Sequence, residues 1–344
     1  MIHSNSAGGA IRRPAALHRA RMDTSTPPVS LEHVRDALAP FGPPVMVCNK
    51  SHSGSRLLAA LLAEGGVFMG AHRNESEDSL DVLELVEHLV GRHYPDYAPL
   101  WTDGSDARET ARVALECFRR HLEGCGPRGG RPWCWKLCES GYALPLFARL
   151  FPGLRVIHLI RDGRDVAFCD HRGPDNAFWR KVHFDTDRIA AWRGMRLDGP
   201  AYRRRAHLYN AAHWSNAVRV ARAYGAMLGE RYLEVRYEDL CRDFAATAAR
   251  VLAFAGATDA AGAIARVAPR VSAASIGKHR LEPARKVREA VAIAKRELLA
   301  FGYLERDPER PRASLLYSSL ADRLADPVDR GVLFSSWRRR LRRS

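Results

Sequence analysis

The sequence lacks the signatures of a helical membrane protein, a repeat protein or a metalloprotein. No apolar run approaches the roughly 20 residues that a bilayer-spanning helix needs, which excludes a helical span. No segment recurs at a fixed period, which excludes solenoids and propellers. The seven cysteines are an odd number scattered along the chain, so reduced thiols are expected and a disulfide framework is not. Cys134 and Cys138, with Cys125 upstream, have no companion histidine at ligand spacing, and no metal site is expected. Acid is the minority sign: 39 Asp and Glu against 54 Lys and Arg leave a formal charge of +15. Such a charge attracts nucleic acid without specificity, so it names no nucleic-acid partner. Asn74-Glu75-Ser76 has the form of a glycosylation sequon. Residues 1–43, however, carry Arg12, Arg13, Arg19 and Arg21 with no apolar segment behind them, so no secretory signal and a cytoplasmic location are expected.

What the chain does contain is an apolar strand that stops at a small-residue turn and restarts as a helix. Val45 to Cys48 reads as a buried parallel strand, and Leu57, Leu58, Leu61 and Leu62 recur at helical spacing before Gly65-Gly66. Between them Ser53, Gly54 and Ser55 offer exposed N–H groups at a helix N-terminus, where the dipole favours an anion. A Walker A loop would need Lys-Ser/Thr after its second glycine, whereas Gly54 is followed by Ser55-Arg56, which disfavours a nucleoside-triphosphate hydrolase.

A second strand, Val156 to Ile160, runs into Arg161-Asp162-Gly163-Arg164-Asp165. An arginine at the carboxyl end of a strand in an open parallel sheet stands where such folds bind ligands. The bland alternative is a surface ion pair with Asp162 or Asp165. A third strand alternates Leu233, Val235 and Tyr237 with Glu234 and Arg236, then enters a helix closed by Gly256. Glu238 and Asp239 are read as fixing the turn between them.

In this order the three segments resemble those of the sulfotransferases that use 3′-phosphoadenosine 5′-phosphosulfate (PAPS), of the bacterial type and near the tyrosylprotein and carbohydrate branch. The resemblance runs from about Val45 to Tyr303 and implies a three-layer α/β/α fold, P-loop-like, with a central parallel sheet. Lys50, His52, Ser53, Gly54, Ser55 and Arg56 then form the loop for the 5′-phosphosulfate. The family usually has Arg or Lys at the position of His52, so the charge comes from protonated His52, from Lys50 or from Arg56. Arg161 is implied to bind the 3′-phosphate, together with Cys169 where the family has Ser; a thiol is the weaker donor. Tyr237 falls near the cofactor, and Trp214 at a helix position read as packing. Ser275 to Arg280 resembles a basic loop that closes over the nucleotide, with Lys278 as its candidate contact.

The implied reaction moves a sulfuryl group from PAPS to a hydroxyl or amine without a metal. Catalysis is then mostly positioning and stabilisation of charge on the departing oxygen. His52 or Lys50, and Lys136 in the strand Arg131 to Ser140, are the candidate cations. For the base, Gly70 to Ser79 offers Glu75, Asp78 and His72, and Cys138 is followed by Glu139; Glu75 is preferred, then Glu139, then His72.

Residues 44–304 are read as the catalytic domain, residues 1–43 as a basic flexible segment and 305–344 as an extension ending in Trp337-Arg-Arg-Arg-Leu-Arg-Arg-Ser344. The acceptor is unassigned; the basic surface, including Arg203-Arg204-Arg205, favours an anionic glycan or a glycolipid, with peripheral membrane contact through the termini. A P-loop kinase and an inactive PAPS-binding protein are the alternative functions.

Overall fold

The computed structural model describes residues 29–102, 104–126, 131–169 and 205–305. The arginine-rich ends and Arg203-Arg204 lie outside these residues. Four strands form one parallel sheet: β1 (Val45–Asn49), β2 (Cys134–Lys136), β3 (Arg155–Ile160) and β4 (Tyr232–Arg236), in the order β2-β1-β3-β4. Around them lie α1 (Leu31–Leu38), α2 (Ser55–Glu64), α3 (Leu80–His93), α4 (Ser105–His121), α5 (Leu144–Leu150), α6 (Gly163–Ala167), α7 (Ala206–Gly225), α8 (Tyr237–Arg242), α9 (Phe244–Ala255), α10 (Ala260–Val267) and α11 (Ala284–Ala300).

Successive strand residues point to opposite faces, and here both faces are apolar. Val45, Val47, Cys134, Ile157, Leu159 and Val235 pack into a core shared with α2, α9 and α10. Met46, Cys48, Trp135 and Val156 pack on the other side with α1, α3, α4 and α5, while Ile160 joins α6, α7 and α11. The sheet is therefore the middle of three layers. Its near-continuous apolar strands follow from coverage on both faces, each fully buried Val, Leu or Ile contributing about 1.5–3 kcal/mol.

Two boundaries differ from the expectations. Ser30 caps α1, accepting from the His33 N–H at 3.1 Å, and Val34 and Leu38 of α1 are buried in the core, so part of the 1–43 segment belongs to the folded unit. The third strand ends at Arg236, and Tyr237 opens the short α8 before Asp243 breaks it from α9. Glu238 is buried there and accepts from the Asp162 N–H at 2.9 Å and the Tyr303 hydroxyl at 2.8 Å, tying β3, β4 and α11 together where a turn-forming role was expected.

Candidate functional site

The register of the sheet brings four segments to one crest. Asn49 pairs with Leu159, Ile160 with Arg236 and Val47 with Lys136. The residues that leave the carboxyl ends are thus Lys50, Leu137 to Glu139, Arg161 and Tyr237, and this end of an open parallel sheet is where ligands bind.

The turn after β1 is held by backbone geometry. His52 and Gly54 both have positive φ, 69° and 87°, and the Ser53 N–H returns to the Lys50 carbonyl at 3.2 Å. A Cβ on Gly54 would overlap the Tyr237 ring, so only glycine fits where the third segment presses on the first. No side chain caps the N-terminus of α2, whose first-turn N–H groups lack intrahelical acceptors. Ser53 is buried, and its Oγ has no hydrogen-bond partner. A buried orphan hydroxyl beside an uncapped helix start fits a phosphate or sulfuryl oxygen.

Arg161 is 5% exposed and spans this turn. Its Nη1 donates to the His52 carbonyl at 3.0 Å, its Nη2 donates to the Ser275 carbonyl, and its guanidinium lies 4.8 Å from the Tyr237 ring centroid. Its Nε is buried with no hydrogen-bond partner. Trp214 donates to the Arg161 carbonyl at 3.0 Å, so this packing tryptophan also fixes the end of β3. Lys278 reaches the same region and donates to the Cys169 Sγ at 3.0 Å. Lys50 is buried and donates to the Ser51 Oγ at 2.8 Å. Desolvation pulls the Lys50 ammonium down to about 8, against the attraction of Cys138, Glu139 and Cys169. Partial burial and the cations Lys50, Lys278, Arg161 and Arg56 push His52 down to about 4. His52 is therefore neutral at neutral pH in the free protein, and the positive charge of the turn resides on its neighbours.

On the β2 side the candidates separate. Lys136, 2% exposed, is paired within the fold: its Nζ donates to the Asp78 carboxylate and to the Ser76 carbonyl, both at 2.7 Å. It fastens the 72–79 loop to the strand. Glu139 is half-buried in the turn after β2, and desolvation, then the nearby Asp78, raises its carboxyl to about 7 while Lys50 opposes the shift. Glu75 is exposed on the loop, and the His72 Nδ1 stands 3.1 Å from the Asp81 carboxylate. Ser55 is buried in the first turn of α2 and Arg56 exposed beside it.

Asp165, read from sequence only as an alternative partner for Arg161, is completely buried. It accepts from the Gly277 N–H at 2.7 Å, the His279 N–H at 3.0 Å and the His279 Nδ1 at 2.6 Å. Burial raises its carboxyl, but these hydrogen bonds outweigh burial and hold it below the usual carboxylate range. Its spacing to Arg161, 3.8 Å away, is local, but its hydrogen-bond donors lie more than 100 positions away and no local pattern announces them.

A model of a family described as "Sulfotransferase family" matches residues 43–260. No curated protein matches the chain. Among solved structures, a sulfotransferase from Mycobacterium avium is 13% identical, with 81% of each chain covered and a TM-score of 0.43. The sulfotransferase domain of the Synechococcus PCC 7002 olefin synthase is 15% identical over 77% of this chain and 96% of its own, with a TM-score of 0.41. Retinol dehydratase, in a complex with retinol and PAP, is 15% identical over 79% of this chain and 84% of its own, with a TM-score of 0.37.

Proposed function

Because the chain belongs to the sulfotransferase family, we propose that it takes its sulfuryl group from PAPS and that the crest between β1 and β3 is the donor site. The observation that carries this reading is the convergence of a buried orphan hydroxyl, Ser53 Oγ, an uncapped helix start and the cations Lys50, Arg161 and Lys278. When bound, PAPS supplies the sulfuryl group and a phosphate leaving group. Ser53, the amides at the start of α2 and Lys50 would hold the phosphosulfate end; Arg161, Lys278 and the Cys169 thiol would hold the 3′-phosphate. Among the described residues no cluster of side chains suits a metal ion.

The chemistry asked of the chain is charge stabilisation and one proton transfer. Lys50, buried and near its titration point, supports a cation that stabilises the departing oxygen and can hand it a proton. Glu139 is supported as the base that takes the acceptor proton: it is half-buried, neighbours Lys50 electrostatically and titrates near neutrality. Glu75 lacks this environment and ranks second. Lys136, whose donors go to Asp78 and Ser76, serves to hold the loop. An anionic glycan or glycolipid acceptor rests on net charge alone, since the donor phosphates account for the cations at the crest.

Thermal unfolding with and without ligand tests the reading. 3′-Phosphoadenosine 5′-phosphate at about 100 times its Kd should stabilise the protein by about 2.7 kcal/mol, and ATP with magnesium should do far less. Equal stabilisation by both would favour a kinase, and indifference to both would refute the donor site.

A further inference from the structure

The segment from Ser272 to Leu281 is a surface strap with one buried anchor. Leu281 is 90% exposed, and only His279 of the segment is buried. The strap is tied at four points. The Tyr237 hydroxyl donates to the Ser272 carbonyl at 3.4 Å, and Arg161 donates to the Ser275 carbonyl. Asp165 takes the Gly277 and His279 N–H groups and the His279 ring, and Lys278 meets Cys169.

Three of these donors end on one carboxylate, and they flank Lys278 on both sides. Gly277 has φ of 77°, a left-handed turn that directs its N–H and that of His279 toward the same buried group. A carboxylate that accepts several N–H groups in a dry site is strongly bound to them, and loss of its charge would leave buried donors facing an amide. Arg161 also stands 3.8 Å from this carboxylate. No atom of Asp165 is exposed, so it cannot itself touch a ligand.

We propose that Asp165 is a positioning residue for donor affinity: its carboxylate clamps the backbone on either side of Lys278 and thereby holds that ammonium over the donor site. This rests on the reading of the crest as the PAPS site. It adds a determinant that makes no contact with the donor and acts through a segment distant in sequence.

A double-mutant cycle tests it, with 3′-phosphoadenosine 5′-phosphate binding measured by calorimetry and steady-state constants measured for donor and acceptor. Lys278→Ala is expected to weaken nucleotide binding about tenfold, the order for one charge-assisted contact. Asp165→Asn should cost a similar factor, and the double variant should lose no more than about twofold beyond the worse single one, because both changes remove the same contact. The donor KM should rise while the acceptor KM stays, a split that general destabilisation would not produce. Hydrogen exchange at the Gly277 and His279 amides should quicken in Asp165→Asn and not in Lys278→Ala. If Asp165→Asn does not fold, His279→Ala, which removes one donor and leaves the carboxylate, enters the same cycle. Multiplicative losses of about a hundredfold, or equal rises in both KM values, would overturn the role of Asp165 while leaving the donor site standing. Wild-type protein that binds no nucleotide would overturn both.

Discussion

The ring of Tyr237, at the end of β4, occupies the space that any side chain on Gly54, in the turn after β1, would need. Residues far apart in the chain thus shape one surface, and the turn is left-handed at that point, with φ of 87°. Gly54→Ala meets both penalties. It should destabilise the protein by about 1–3 kcal/mol and abolish tight nucleotide binding. Denaturant unfolding and calorimetry of the same preparation measure the two effects; a stable variant with unchanged affinity would refute the packing argument.

Arg161→Ala should weaken 3′-phosphoadenosine 5′-phosphate binding by about 2–4 kcal/mol, the loss expected when one member of a desolvated charge pair is truncated. Because Arg161 also ties the His52 and Ser275 carbonyls, the variant should loosen the turn and the strap together. Cys169→Ser should keep or improve affinity, since a hydroxyl is the better partner for Lys278 and for phosphate. Titration calorimetry reads both, and unchanged affinity in Arg161→Ala rejects the assignment.

The rate profile should separate the two carboxylates. In the free enzyme Glu139 must lose its proton, near pH 7, to act as base, and Lys50 must keep its own, lost near pH 8, to act as cation. kcat/KM should therefore rise through the first value and fall through the second, a narrow bell. Glu139→Gln should slow transfer by about 10²- to 10⁴-fold and erase the acid limb, whereas Glu75→Gln should change little. Single-turnover transfer from labelled PAPS makes the comparison. The reverse order of effects would return the base to Glu75.

Acid should destabilise the fold through histidines that burial holds neutral, His121 and His158 being the two most deeply buried of those lowered to about 4, with His52 and His88 acting in the same sense. His121, bonded to Ser79 and the Cys134 carbonyl, and His158, bonded to Tyr232, are each pushed by burial from 6.5 to about 4. Above pH 6.5 both are neutral in either state. Between 6.5 and 4 the unfolded chain binds their protons first, so stability falls by about 1.4 kcal/mol per pH unit for each. Glu139 has the opposite sign: its folded value is raised, so it favours the folded state below pH 7 and offsets one histidine. Urea unfolding from pH 7 to 4.5 should show this loss, and Glu139→Gln should steepen it. A flat profile in both proteins would contradict the buried, neutral state of the two rings.

The sequence by itself determined the parts of this protein whose information is local. A strand, a small-residue turn and a leucine-spaced helix in immediate succession specify β1, its loop and α2, and an arginine directly after an apolar strand places Arg161 at the crest of the sheet. Tertiary structure decided whatever depends on desolvation or on partners distant in the chain. Glu75 and Glu139 are equivalent as letters, and only packing makes one exposed and the other half-buried with a raised pKa. Lys136 is a free cation in the sequence and an ion-paired one in the fold, because the 72–79 loop brings Asp78 to it. Asp165 reads as a surface partner for Arg161; the pair forms, 3.8 Å apart, but it is buried, because the chain returns 112 residues later and seats Gly277 on its carboxylate. Spacing along the chain records secondary structure, whereas the charge state of a buried group depends on neighbours that only the folded chain assembles.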